Sequence, residues 1–532
     1  MSAERLPIVI GVTGHRNLRQ EDREALKALV RSALEGMQSR CPHSPIILLD
    51  SLAEGADQLC AEVAKELSIP LIAALPLPLD EYAADFSPAG KEALFAFAHD
   101  AQQCFVVPHA EAEPDALSRD FAYRQASIYV ATHCHMLLAL WDGDDSKKDG
   151  CGTAAAVHVA LNGAYVPKTG IPVRSASNTV VCCIAAAREG TEPEASRQGL
   201  EYRGDMVAWR RIMKDTDEWN RLASDESKQP GSLLPEEPDD PIGAKLDRLY
   251  GLADAMSMRF QQHYRRVLAL LAAFGTLLTV SFLLYDEASL HVMIFVTGLM
   301  LLLMVLCRRY ARRADCHKRY LENRVLAESL RTQAFLRYAG SDVQVSSLLP
   351  LIQQTDTAWV LCALCTCTVG DAPKTAHDIR AEWVDAQCAY HTRAAKKTER
   401  KLTGTDRFVR FALIGSAVVY LAALLFELLF GGFRLLPGEP LENAEFWRSV
   451  LKIVLGTLSA GTLFIAGYYG KLSLDRKQAD HLRMAGFYAE MGKQLLRQGQ
   501  TDALLVHLAR EELIENGNWY AYQSDNTPDL TL

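Results

Sequence analysis

The hexapeptide GVTGHR, Gly11 to Arg16, combines two glycines with a histidine and an arginine directly after the apolar run LPIVI. A Gly-x-x-Gly turn at the end of a strand lets backbone approach a ligand closely, with Thr13 and Gly14 inside the turn. His15 and Arg16 can then meet a phosphate or a ribose. Matching features recur downstream. SLAEGADQL sets Glu54 and Asp57 around Gly55 at a helix start, where carboxylates accept ribose hydroxyls. LPLPLDEYAADF brings Pro76 and an acidic, aromatic stretch. LWDGDDSKKDGCGTAAAV carries Asp142 and Gly143, then Gly150, Gly152 and Thr153 opening a helix as a phosphate cradle does. Each alone is also ordinary turn chemistry, glycine for positive φ and Asp or Thr as N-cap. Their recurrence at successive strand ends points to a ligand of the nucleotide type.

The elements that must position these residues are legible as alternating patterns. Apolar runs LPIVIGV, SPIILLDSL, IPLIAALPLP, QCFVVPH, HMLLALWDG and TVVCCIAAA alternate with helical stretches EDREALKALVRSALEGM, GADQLCAEVAKEL, AGKEALFAFAHDA and TAAAVHVALNG. Strand and helix in turn predict an α/β domain, a doubly wound, Rossmann-like parallel sheet over residues 1–200, with ligands held at the carboxyl ends of its strands.

The chain of 532 residues is too long for one core. Its net charge of −9 averages an acidic front with a very apolar back. The N-terminal apolar run is too short for a secretory signal, so the front is expected in the cytoplasm. Thirteen cysteines without framework spacing read as reduced thiols, and Cys362, Cys365 and Cys367 of CALCTC lack the second pair that a tetrahedral metal site requires, so no metal is expected. Residues 201–245 read as a connecting helix and an acidic, proline-rich linker.

Four segments are apolar enough to cross a bilayer, at about 267–285, 290–307, 411–430 and 450–469. They predict an all-α membrane region of two hairpins, 246–346 and 401–532, with a cytoplasmic helical segment at 347–400 between them. The hairpins share one layout, each entered and left by a polar helix, like a module used twice. Arg and Lys cluster at 265–266, 308–313, 396–410 and 471–477, whereas DEASLH between the first two spans has none. Both termini are therefore predicted to be cytoplasmic. These basic clusters face anionic lipid, and no nucleic acid is needed to explain them.

The spans carry polar residues of their own. Ser416, Tyr420 and Glu427 share a face of the third span, and Lys452, Gly456 and Ser459 a face of the fourth. Glu427 and Lys452 both sit near the outer end, where they are expected to pair. A pore-lining seam and ordinary hairpin packing both fit these residues.

In order and content, GVTGHR, LAEGAD, LPLPLDEYAADF and LLALWDG with GCGTAAAV resemble the SLOG superfamily, the Rossmann-like nucleotide-binding group that includes the Lonely-Guy phosphoribohydrolases. The back half resembles the SLATT class of membrane effectors through YLENRVLAESLRTQAF, EWVDAQCAYH and AREELIENGNWYAYQSDNTPD. The resemblance implies a bacterial inner-membrane effector of anti-phage defence. Its front domain would sense a nucleotide-derived messenger, a cyclic nucleotide or ADP-ribose derivative, made by an enzyme of the same system. Its spans would form a pore in the lipid bilayer as a homo-oligomer.

One departure bears on catalysis. The hydrolase branch has a glutamate three residues after the Gly-Thr of its last loop, where this chain has Ala156. Binding without turnover is therefore expected, with no catalytic residues and no cofactor besides the ligand. The alternative is a membrane-anchored N-glycoside hydrolase acting on nucleotides or NAD derivatives, with Glu54, Asp57 or Asp142 substituting.

Overall fold

The computed structural model describes residues 4–108, 118–145, 150–163, 179–190, 199–225, 233–234, 240–371, 376–429, 443–472 and 474–525. The predicted linker residues 226–232 and 235–239 lie outside these, as do most of those joining the third and fourth spans.

Six apolar runs become parallel strands: β1 (Ile8–Gly14), β2 (Ile46–Asp50), β3 (Leu71–Leu75), β4 (Gln103–Val106), β5 (Met136–Trp141) and β6 (Val180–Ala185). β2, β3 and β5 are buried throughout because helices cover both faces, which is why they read as continuous apolar runs. A seventh strand, β7 (Leu200–Arg203), adds antiparallel to β6. The order is β4-β3-β2-β1-β5-β6-β7. It reverses between β1 and β5, and the carboxyl ends of those two strands flank the crevice where such sheets bind ligands.

The helices of this region are α1 (Arg23–Arg40), α2 (Ala56–Glu66), α3 (Leu79–Tyr82), α4 (Pro88–Asp100), α5 (Arg119–Thr132), α6 (Thr153–Asn162) and α7 (Met206–Ser224). Helix α1 shows the local logic. Leu26, Val30, Ala33, Leu34 and Met37 recur on one stripe and are all buried. Helix α7 starts at Asp205, whose Oδ1 accepts from the N–H groups of Val207 and Ala208 at 2.9 Å. It is pinned to the sheet by buried Asn220, which exchanges hydrogen bonds with the backbone of Leu6 at 2.8 and 2.9 Å.

The rest of the described chain is helical: α8 (Pro241–Glu287), α9 (Met293–Ala314), α10 (Cys316–Tyr338), α11 (Leu351–Asp356), α12 (Ala358–Cys367), α13 (Ala386–Leu429), α14 (Ala444–Leu472), α15 (Leu474–Gln498) and α16 (Asp502–Asp525). By packing, the chain forms two units that do not follow its linear order. One comprises Met1–Met256, Glu322–Asp378 and Gln500–Ala521, the other Ser257–Leu321, Ile379–Gly499 and Tyr522–Leu532.

In the first unit the sheet domain is completed by distant segments. Val369 joins the core cluster of β1, β5 and α5, and the Gly370 N–H donates to the Tyr129 hydroxyl at 3.3 Å. Every residue of α12 after Ala358, its three cysteines included, is buried. The charged face of α10 is buried too, because its charges are paired: Arg331 meets Glu328 at 2.6 Å and Glu512 of α16 at 3.4 Å.

The second unit holds the four predicted spans. Only 22, 11, 0 and 0% of their apolar windows is covered by protein, so they are not the buried helices of a water-soluble core. Each is long and apolar enough to cross a membrane. Ser281 and Thr297 join α8 to α9 at 2.8 Å. Glycines bring α8 against α14: a Cβ on Gly275 would lie 2.4 Å from the Phe464 ring, and one on Gly456 2.6 Å from Leu283.

Candidate functional site

The crevice at the strand reversal is built first from backbone. β1 ends at Gly14, where a Cβ would lie 2.3 Å from Ala56 and 2.7 Å from the Leu140 carbonyl, so only glycine lets α2 and β5 close on this strand end. The His15 N–H donates to Leu140 O at 3.0 Å, and Ala56 N–H donates to His15 O at 3.0 Å. Gly55, at φ +92°, would place a Cβ 2.1 Å from the Arg16 carbonyl. The two glycine motifs therefore lock to each other. Gly11 faces away from the crevice, with Val130 of α5 and Cys134 just beyond that helix 2.9 and 3.0 Å from a Cβ there. Thr13 is half-buried in β1, and Pro76 is buried just beyond β3.

On the β5 side His15 Nε2 accepts from the Asp142 N–H at 3.0 Å and lies 3.1 Å from Asp142 Oδ2. Arg188, beyond β6, donates to the same carboxylate oxygen at 3.0 Å. Burial pushes the His15 pKa down, and the Asp142 carboxylate only partly offsets it. Burial opposes the charge of Asp142, but the Asp144 N–H, the His15 ring and the Arg188 guanidinium outweigh it and hold the carboxyl below its usual range. Gly143 turns the chain away at φ +83°.

On the β2 side the carboxylates are committed to the protein. Glu54 accepts from the Ser87 N–H at 3.1 Å and from the Ser87 hydroxyl, bracing the start of α4. Asp57 accepts from Ala53 N–H at 3.2 Å. Its neighbour is Asp50, fully buried at the end of β2, whose Oδ1 accepts from Leu52 N–H at 2.8 Å. Asp50 Oδ2 receives no N–H or hydroxyl donor among the described residues, and the two carboxyls interact directly, each bearing on the other's proton. Burial, then the charge of Asp50, pushes Asp57 well up, with Arg16 partly offsetting. Asp50 escaped the sequence reading; the signal was an acid closing the apolar run IILL.

Arg16 lies over the ring of Tyr123 at 5.1 Å and of Phe86 at 5.9 Å and donates to the Tyr123 hydroxyl. That hydroxyl donates in turn to Asp85, which Arg119 holds at 2.7 Å. The DEYAADF stretch thus acts through its rings, with Tyr82 buried edge-on to Phe86 at 4.8 Å. One turn beyond Tyr123 on α5, the Ser127 hydroxyl donates to Cys151 O at 3.2 Å. Cys151 stands between Gly150 and Gly152 at the mouth of α6. A single face of α5 therefore carries both Arg16 and the α6 N-terminus. Gly152 is the N-cap, has no side-chain cap, and would project a Cβ into open space. Among the described residues no side chain caps the N–H groups there, and with the Arg16 guanidinium they suit an anionic group. Ala156, three residues along, is buried in the sheet core, where a glutamate would be a buried charge.

Residues 250–341, from α8 to just past α10, match the model of a family described as a protein of unknown function, DUF4231. No curated protein and no solved structure matches the chain.

The polar residues of the spans do not converge as expected. Glu427 does not meet Lys452; its partner is Arg448, whose guanidinium reaches both carboxylate oxygens, one at 3.0 Å. Lys452, one turn further along α14, points to α8 and pairs with Glu287 at 2.9 Å. The forked guanidinium sits closer to α13, and the lysine falls on the other hairpin's side. Tyr420 and Ser459 are exposed on α13 and α14, and Ser416 is half-buried.

Proposed function

We propose that this chain is a membrane effector whose α/β unit binds a nucleotide-derived ligand in the β1/β5 crevice, and that binding favours an oligomeric or open state of the four spans. The observation that carries the reading is the meeting of Arg16 and the uncapped α6 N-terminus across one turn of α5, at the reversal of strand order. His15 and Asp142 close one wall. The resemblance to SLOG domains in front and SLATT effectors behind supports the same reading, including a role in anti-phage defence at a bacterial inner membrane. Glu54 and Asp57 are engaged by the protein and Ala156 is core, which favours binding over N-glycoside cleavage. A ligand shifts the spans only by preferring one of their states.

The test uses the full chain, because the α/β unit includes residues 322–378 and 500–521. Purified protein is incubated with cyclic nucleotides, NAD and cyclic ADP-ribose isomers, and mass spectrometry reads what is retained and what is converted. An intact retained compound that triggers dye release from liposomes carrying the protein is the expected result. Conversion of the compound would replace this reading with an anchored hydrolase, and no retention would overturn both.

A further inference from the structure

The membrane unit contains a concentration of positive charge that its own carboxylates do not answer. Helices α13 and α15 run antiparallel. Their register is set by His391 and His481, whose Nδ1 atoms are 3.0 Å apart, and by Cys388 Sγ donating to Ala485 O at 3.5 Å. Continuing that register about one turn brings Lys477 of α15 level with residues 395–396 of α13, next to Lys397 and about a turn and a half from Lys401; the two α13 lysines share a face as an i, i+4 pair. Arg265 of α8 lies close enough for its charge to act on both Lys401 and Lys477.

None of these four side chains makes an ion pair or hydrogen bond among the described residues. The nearby acids are occupied or misdirected. Asp480 is taken by Arg483 at 3.3 Å and Arg476 at 3.9 Å. Glu399 lies two residues from either lysine, on the other side of α13. Burial, then the charges of Arg265 and Lys401, pushes Lys477 down to about 8. Four unanswered cations on three helices repel one another unless an anion joins them. Arg265 stands two residues before the apolar run of α8 begins at Val267, which is headgroup depth.

We propose that Arg265, Lys397, Lys401 and Lys477 form a binding site for the phosphate of an anionic phospholipid headgroup. A soluble phosphate shares that chemistry, so the test separates the two sources.

The full-length protein in a neutral detergent is titrated with phosphatidylglycerol, with phosphatidylcholine or with inorganic pyrophosphate, and native mass spectrometry counts retained molecules. Phosphatidylglycerol is expected to be retained and phosphatidylcholine not. The double variant Lys401→Gln/Lys477→Gln should weaken retention about tenfold or more. Lys477→Arg, which keeps the charge, should restore the single-site loss of Lys477→Gln, and Arg393→Gln on the same helix should change nothing. Removing charge from a repelling cluster favours folding, so a well-folded variant with lost retention is readable. Undiminished retention in the double variant, or pyrophosphate retention without phosphatidylglycerol retention, overturns the proposal.

Discussion

The Nε2 atom of His15 sits 3.0 Å from the backbone N–H of Asp142, joining the carboxyl ends of β1 and β5 where the strand order reverses. The contact requires an unprotonated Nε2, and burial keeps the ring neutral by lowering its pKa from 6.5. A histidine whose pKa is lower folded than unfolded contributes stability above 6.5, and that stability is lost as pH falls from 6.5 toward the lowered value. Thermal melts of the wild type should therefore fall more steeply below roughly pH 6.5 than those of His15→Gln, whose amide has no such titration. Parallel curves for the two proteins would count against a buried neutral His15.

The Asp50–Asp57 pair has the opposite sign. Both carboxyls have raised pKa values, Asp50 to about 6 from 3.8, so the folded state holds a proton that the unfolded chain releases. Their contribution is present below 3.8 and is lost as pH rises through about 6. Asp57→Asn replaces the carboxyl by a neutral amide and should raise the melting temperature at pH 8 relative to wild type. Asp57→Ala removes the carboxyl partner of buried Asp50 and should cost about 1–3 kcal/mol in a denaturant titration at pH 5.

Gly55 and Gly152 look alike in sequence and should behave oppositely. Gly55→Ala combines φ +92° with a backbone contact of 2.1 Å and should destabilise the α/β unit by on the order of 3 kcal/mol or more, leaving little folded protein. Gly152→Asp enters open space at an N-cap, where Asp is favoured, yet puts a carboxylate where the ligand's anion would bind. It should melt as the wild type does and fail to retain the ligand. Ligand retention by folded Gly152→Asp would remove the α6 N-terminus from the site.

What could be read in advance follows from range. The six parallel strands and the four spans are local patterns of hydrophobicity, and all formed close to where their periods placed them. β7 spans four residues, too few for a pattern, and its strand character comes from pairing with β6. Asp50 merely closes an apolar run in the sequence, and its role comes from Asp57, brought beside it by the fold. The misplaced partner of Glu427 has the same origin. Lys452 was matched within its own hairpin, whereas its carboxylate, Glu287, comes from the other one. Nothing local in DAPK or CALCTC signals that Val369 completes the core of a sheet whose strands end by residue 203.

The basic residues flanking the spans predict that the short turn between α8 and α9 faces the periplasm while both ends of the chain face the cytoplasm. Alkaline phosphatase fused after Ser289 should be active, and a fluorescent protein fused at the N-terminus or after Gly499 should fluoresce. Phosphatase activity after Gly499 would invert the second hairpin and with it the repeat.

The last prediction concerns how the hairpins hold together. In lipid there is no hydrophobic gain from bringing helices into contact, so close approach through small residues and a few polar pairs must do it. Gly456 has Leu283 where its Cβ would go, whereas Gly467, on the same helix, has nothing within 4 Å. Gly456→Leu should push α14 off α8, strain the Glu287–Lys452 pair and cost about 1–3 kcal/mol of bundle stability in detergent melts. Gly467→Leu should leave that stability unchanged. If the two variants melt together, the contact between α8 and α14 is not what joins the two hairpins.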